Sequence, residues 1–287
     1  MDDAERFEFD RQGYLVIRGL LSAEEVGRLS VAVDKLEEHA LAHAPMQARK
    51  PVVWGLVTRH DPTRGYHGQG RRARGETLIV EDFWNADPTF DVLVDHAPTL
   101  RYVERAIQGR VTINNSEARY RYPGNCTGAH MGGPIGSKYR YGVNAQGIDC
   151  MMVRMVYFLH DVGPEDGPFS VVPGTHKSAF GPPARDLPDD EPGMIGLSVR
   201  SGDAVFFTEN LRHGGLANRS ERSRRTLHVG YGPAWMMSQN FSTMDQPQYL
   251  LPATLARYSQ RQRALFQPVC EAELERARER LEQTAAS

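Results

Sequence analysis

The chain has 287 residues, 40% of them hydrophobic, and a formal net charge of −2. That is enough chain to bury a large core, and its near-neutral balance argues against a general nucleic-acid or membrane surface. No apolar run approaches the roughly 18 residues of a membrane span, and the acidic opening Met1-Asp2-Asp3-Ala4-Glu5 has no apolar core behind it, unlike a signal peptide.

In chain order, residues 7–18 (FEFDRQGYLVIR) read as a short helix followed by a strand at Tyr14-Leu15-Val16-Ile17. Ser22-Ala23-Glu24-Glu25 has the form of a capping box. Val26, Leu29, Val33 and Leu36 follow at helical spacing, so a helix is predicted from Ala23 to about Ala44. His39 and His43 lie one turn apart at its end and are expected to face solvent or favour the helix C-terminus. Residues 45–80 read as irregular. Gly65 to Gly75, rich in glycine and arginine, lacks the closing Gly-Lys-Ser/Thr of a phosphate loop. It reads as a surface loop, or as a lid carrying Arg71, Arg72 or Arg74 to an anionic substrate. Residues 87–106 suggest two short helices, with Pro98 opening the second.

From residue 110 the pattern changes to short strands separated by turns. These are Val111-Thr112-Ile113, residues 118–122, 151–159, 169–172, 197–199, 204–208 and 225–231. The stretch 151–159 (MMVRMVYFL) is apolar throughout apart from Arg154. Many short strands with Gly/Pro turns predict a mainly β sandwich or jelly roll. After Pro252 helices return, at 253–266 and 271–284, the latter charged enough to be solvated or an oligomer contact. The predicted organisation is one domain over 1–287. It has a helical N-terminal part to about 108, a β core over about 110–235 and a helical C-terminal part over about 250–287. Cys126, Cys150 and Cys270 form neither a disulfide framework nor a CxxC zinc pattern; a reducing cytoplasm is the expected compartment.

The chemistry is concentrated in Thr127-Gly128-Ala129-His130-Met131-Gly132-Gly133 and in Asn210-Leu211-Arg212-His213-Gly214-Gly215, followed by Arg224-Arg225. Two imidazoles and one carboxylate make the facial triad of non-haem iron(II) sites. His130 and His213 supply the imidazoles, and a carboxylate is wanted at position 132. The residue there is Gly132. Both histidines lie at strand ends next to glycines, where a metal or substrate can approach the backbone.

Three segments carry a resemblance. They are the opening FDRQGYLVIRGLLSAEEV, the run Glu165-Asp166-Gly167 through Pro173-Gly174-Thr175-His176-Lys177, and the block from Gly202-Asp203 through His213 to Asn218 and Arg224. In order and spacing they resemble the phytanoyl-CoA dioxygenase family of Fe(II)/2-oxoglutarate-dependent oxygenases, over about residues 7–235. The resemblance implies a double-stranded β-helix (jelly-roll) core with flanking helices, and Fe(II), 2-oxoglutarate and O2 as cofactors. It implies His130 and His213 as iron ligands and Arg224 as the partner of the distal carboxylate of 2-oxoglutarate, a role its planar fork suits. Arg225 should point to the other face, and His176 is expected to be a structural hydrogen-bonding residue.

The family's Asp ligand is absent. The chain is similar in this to the family's Fe(II)/2-oxoglutarate halogenases, which carry Gly or Ala there and bind chloride to the iron; Gly132 would then mark the halide site. The implied reaction is chlorination of an unactivated C–H in a freestanding small molecule. The rivals are a hydroxylase whose third ligand is water or Glu209, Asp149 or Asp166, and a jelly-roll binding protein without redox chemistry. Basic and aromatic residues near His130 suit an anionic group plus a flat ring. Arg119, Arg121, Asn125, Lys138 and Arg140, with Arg71 and Arg72 from the loop, are the candidate substrate residues. The chain looks similar to nucleotide halogenases of antibiotic biosynthesis, which makes a purine nucleotide such as deoxyadenosine monophosphate the candidate substrate.

Overall fold

The computed structural model describes residues 1–43, 48–51, 57–132, 139–180, 187–236 and 250–267. Helix α1 (Asp3–Gln12) starts earlier than its apolar residues suggest, because Asp2 and Glu5 form a capping box of their own. Strand β1 (Tyr14–Ile17) follows, then α2 (Ala23–Ala42), capped by Ser22 and Glu25 as the sequence predicts. His39 is turned inward rather than to solvent. Its Nε2 lies 3.1 Å from Asp61 Oδ2, and the His43 ring stacks on it.

The stretch 45–80 is not irregular where the structure describes it. It holds β2 (Ala48–Pro51), β3 (Val57–Asp61), β4 (Tyr66–Gly70) and β5 (Thr77–Glu81). The residues of β4 are Tyr-His-Gly-Gln-Gly, without hydrophobic alternation, although all but the last are buried. The N-terminal part is therefore mixed rather than helical. Two short 3-10 turns and α3 (Ala97–Ala106) complete it.

Strand β6 (Val111–Arg121) is one continuous eleven-residue strand, where hydrophobic pattern alone suggested two. Its middle, Asn114-Asn115-Ser116-Glu117, is polar yet buried. Then come β7 (Thr127–His130), the hairpin β8 (Tyr141–Asn144) and β9 (Gly147–Cys150), β10 (Val153–Phe158) and β11 (Phe169–Val172). The chain continues with β12 (Ile195–Gly196), β13 (Ala204–Thr208), β14 (Arg212–Gly215) and β15 (Arg224–Pro233). The expected strand at 197–199 is reduced to an isolated bridge between Val199 and Val162. Helices α4 (Pro252–Arg257) and α5 (Gln260–Ala264) replace the single helix expected at 253–266. The predicted helix at 271–284, Cys270, Gly133 and Lys138 lie outside the described residues.

The larger sheet runs β1-β13-β10-β15-β6-β5-β4-β3-β2 and the smaller β12-β11-β14-β7. Neighbours far apart in sequence pair antiparallel, the topology of a jelly roll. Val156, Phe158, Val205 and Phe207 of the larger sheet pack with Phe169, Val171 and Leu211. The helices cover the other face, with Phe9 of α1 stacked on Phe206 at 5.0 Å. Among the described residues no helix is long and apolar enough to cross a membrane.

Candidate iron and co-substrate site

His130 on β7 and His213 on β14 are direct cross-strand partners, so their side chains leave the small sheet together. The ring centroids lie 4.2 Å apart. His213 is buried in the floor of the cavity, with Phe207 at 4.7 Å and Phe169 at 5.7 Å between ring centroids; His130 stands at the open mouth. Each Nδ1 faces a main-chain carbonyl, that of Gly128 at 2.9 Å from His130 and that of Leu211 at 2.7 Å from His213. A carbonyl only accepts, so the proton sits on Nδ1 and the lone pair on Nε2. Neutral Nε2 donors, each oriented by a backbone bond, are what a divalent metal takes. Burial holds His213 well below its ordinary pKa, which keeps it neutral.

Gly132 is the residue that the sequence resemblance puts at the position of the carboxylate ligand. Its φ is +75°, in the left-handed region, and its N–H donates to the carbonyl of Glu209 at 2.7 Å. A side chain here costs backbone strain. Among the described residues no three His, Cys, Asp or Glu side chains gather as a metal cluster. One carboxylate is nevertheless close. Glu209 Oε2 lies 3.9 Å from His213 Nε2, while Oε1 accepts from Arg154 Nε at 2.5 Å. The other two rival carboxylates are engaged elsewhere: Asp149 pairs with Arg140 at 2.8 Å and Asp166 with Arg222 at 2.9 Å.

The histidines open on a cavity of about 350 Å3 whose lining includes Arg119, Arg121, Arg154, Glu209, Arg224 and His228. Arg154 also reaches Asn115 at 2.7 Å and Glu117 at 2.9 Å, and Arg119 pairs with the other oxygen of Glu117. Burial opposes the charge of Glu117, but Arg119 and Arg154 hold its carboxyl well below the usual range. Arg224, at the start of β15, is buried and donates Nη1 to the carbonyl of Gly167 at 2.5 Å; its Nε has no partner among the described residues. Strand alternation sends Arg225 to the opposite face, where it pairs with Asp34. His176 is structural, its Nε2 3.0 Å from the carbonyl of Asp10.

The predicted substrate residues separate. Arg119 and Arg121 line the cavity, and Asn125 accepts from Arg121 Nε at 2.7 Å. Arg71, Arg72 and Arg140 do not line it. Arg71 is exposed and pairs with Glu76 at 3.0 Å, Arg72 pairs with Glu37 at 2.9 Å, and Arg140 pairs with Asp149. Arg74 joins Glu221 rather than forming a lid. Sequence reasoning missed His228, whose Nε2 meets Thr226 Oγ1 at 2.9 Å, and the roles of Arg154 and Glu117. The signal for Arg154 was present: a lone arginine inside an apolar strand must have a buried partner.

The two-histidine centre and the cavity arginine fit iron(II) and 2-oxoglutarate on the chemistry of their donors. No curated protein matches the chain. Among solved structures it is similar to HygX from Streptomyces hygroscopicus with nickel, 2-oxoglutarate and hygromycin B bound. The TM-score is 0.65 at 23% identity, covering 83% of this chain and 90% of that one. It is also similar to the α-ketoglutarate-dependent carbocyclase SnoK from nogalamycin biosynthesis, with a TM-score of 0.58 at 19% identity over 94% and 93%. The epimerase SnoN, in complex with Fe3+, α-ketoglutarate and nogalamycin RO, aligns with a TM-score of 0.55 at 18% identity over 82% and 86%. These likenesses carry the fold. The family model for phytanoyl-CoA dioxygenase (PhyH) matches residues 9–226, and the chain belongs to that family of non-haem iron(II), 2-oxoglutarate-dependent enzymes.

Proposed function

We propose that the protein uses iron(II), 2-oxoglutarate, O2 and chloride to halogenate an unactivated C–H of a freestanding small molecule. The observation that carries this reading is Gly132, a glycine in the left-handed region that the sequence resemblance aligns with the family's carboxylate ligand. Charge supports it. Among the described residues, Arg119, Arg121, Arg154 and Arg224 at the cavity face only Glu209 and the underlying Glu117. A divalent metal and a doubly charged co-substrate cancel each other, so the loaded site would keep an excess of positive charge. Buried positive charge draws in an anion. Chloride beside the metal answers part of that excess, and an anionic substrate answers more.

When bound, the metal with its co-substrate supplies the oxidant that removes a hydrogen atom from the substrate. His130 and His213 hold the metal through Nε2, Arg224 fixes the co-substrate's distal carboxylate, and Phe169 and Phe207 keep water from His213. A purine nucleotide such as deoxyadenosine monophosphate is the proposed substrate, with Arg119 proposed to meet its phosphate; the cytoplasm is the proposed compartment.

Glu209 favours a second reading. Its free oxygen faces His213 and could complete the metal site, which would make the protein a hydroxylase of a small molecule.

The test is anaerobic loading with Fe(II) and 2-oxoglutarate, followed by chloride titration of the visible charge-transfer band. Halogenation predicts a saturable shift that Gly132→Asp abolishes and Glu209→Gln preserves. A band blind to chloride but displaced by Glu209→Gln would establish the second reading instead.

A further inference from the structure

Arg224 has a counterpart the reaction as described leaves unused. Arg121 is its direct cross-strand partner, so both guanidiniums leave the larger sheet on the face that lines the cavity. Each residue is 3% exposed. Among the described residues neither meets a carboxylate. Arg121 gives Nε to Asn125 and reaches the carbonyl of Gly215 with Nη2 only at 3.5 Å. Arg224 gives Nη1 to Gly167 and leaves Nε without a partner. Arg119 and Arg154, in contrast, are both tied to Glu117.

The fold makes room for Arg121 specifically. A Cβ on Gly215 would fall 1.8 Å from Arg121 Nη1, so only a glycine on β14 lets the guanidinium lie there. Asn125 then fixes its Nε. Two unopposed guanidiniums on adjacent strands are costly. Burial and the charge of Arg119 push the Arg121 pKa down to about 9, and burial with Arg121 and Arg119 lowers that of Arg224. An anion shared between them removes the cost and satisfies the free donors.

We propose that Arg121 is a second co-substrate arginine, which with Arg224 grips the distal carboxylate of 2-oxoglutarate and sets the preference for a dicarboxylic 2-oxo acid. The proposal rests on the co-substrate reading above and moves Arg121 from the substrate side to the co-substrate side. Gly215 and Asn125 are its positioning residues.

The experiment is calorimetric binding of 2-oxoglutarate and of 2-oxobutyrate to the nickel(II)-loaded full chain. The two ligands share the metal-chelating end and differ in the distal carboxylate. The wild type should favour 2-oxoglutarate strongly. Arg121→Gln should weaken 2-oxoglutarate about tenfold or more, the contribution of a hydrogen bond to a charged group, and leave 2-oxobutyrate unchanged. Arg121→Lys, which keeps the charge, should restore part of the preference. An equal loss for both ligands would mean that Arg121 only packs the site, and no loss for either would return it to the substrate; both outcomes overturn the proposal. If Arg224→Gln removes the preference while Arg121→Gln keeps it, this inference alone fails. A wild type that does not distinguish the two acids refutes the co-substrate reading, and this inference with it.

Discussion

His130, His213 and Arg224 stand out in the sequence as candidate metal and co-substrate residues because of their type and their offsets. What sets the two histidines apart is that they are cross-strand partners at the cavity; a backbone-bonded Nδ1 alone does not, since His43 and His160 have one too. The His130 and His213 imidazoles give Nδ1–H to a backbone carbonyl, leaving Nε2 for a metal. His39, His67 and His176 meet aspartate side chains or an Asp10 carbonyl instead. Glu209 and Arg154 were harder to read. Their pairing joins β10 to the turn after β13, and neither residue announces the other in sequence. At this scale the clearest expectation concerns Arg224. Arg224→Ala should weaken 2-oxoglutarate binding to the metal-loaded protein by about 2–5 kcal/mol, the usual penalty for removing one partner of a buried charge pair. Calorimetry checks it, and an unchanged affinity would remove the residue from the site.

Among elements, α1, β1 and α2 follow from local chemistry. Helix α2 has its apolar spacing and a cap in which Glu25 N–H donates to Ser22 Oγ at 3.2 Å while Glu25 returns to Ser22 N–H at 2.8 Å. Ser22→Ala should therefore cost about 1 kcal/mol, read as a lower urea midpoint at unchanged slope. Strand β6 shows the opposite case. Its polar centre looks like a loop in sequence, because a strand is read from hydrophobic alternation. Here the buried neighbours are charged: Glu117 meets Arg119 and Arg154, and Asn115 meets Arg154. Strand β4 hides for a related reason, since its glycines carry no pattern. A strand whose buried residues are polar or glycine forfeits the signal by which strands are recognised.

At the scale of the whole molecule, His176 ties the N-terminal helix to the jelly roll. It follows β11, bonds the carbonyl of Asp10 at the end of α1 and packs edge-on against Tyr141 at 4.5 Å. Burial pushes its pKa down to about 4 from an ordinary 6.5, with Lys177 assisting and Asp10 opposing. The unfolded chain therefore takes up a proton that the folded protein refuses. The stability owed to neutral His176 is complete above pH about 6.5 and is lost as pH falls toward about 4. Thermal melting across that window should fall more steeply for the wild type than for His176→Gln; parallel curves would show that His176 titrates alike in both states.

The sequence by itself determined the jelly-roll class and the family, and it marked two histidines, an arginine and a glycine as the candidate site, since type, order and spacing are properties of the chain. Only the tertiary structure decided which charges meet. It placed Glu209 beside His213, opposed Arg121 to Arg224 across two strands, and turned Arg71, Arg72 and Arg140 to partners outside the cavity. The physical reason is that an antiparallel jelly roll pairs strands remote in sequence. A guanidinium's environment is then set by cross-strand register and by a glycine on the facing sheet, neither of which a local pattern records.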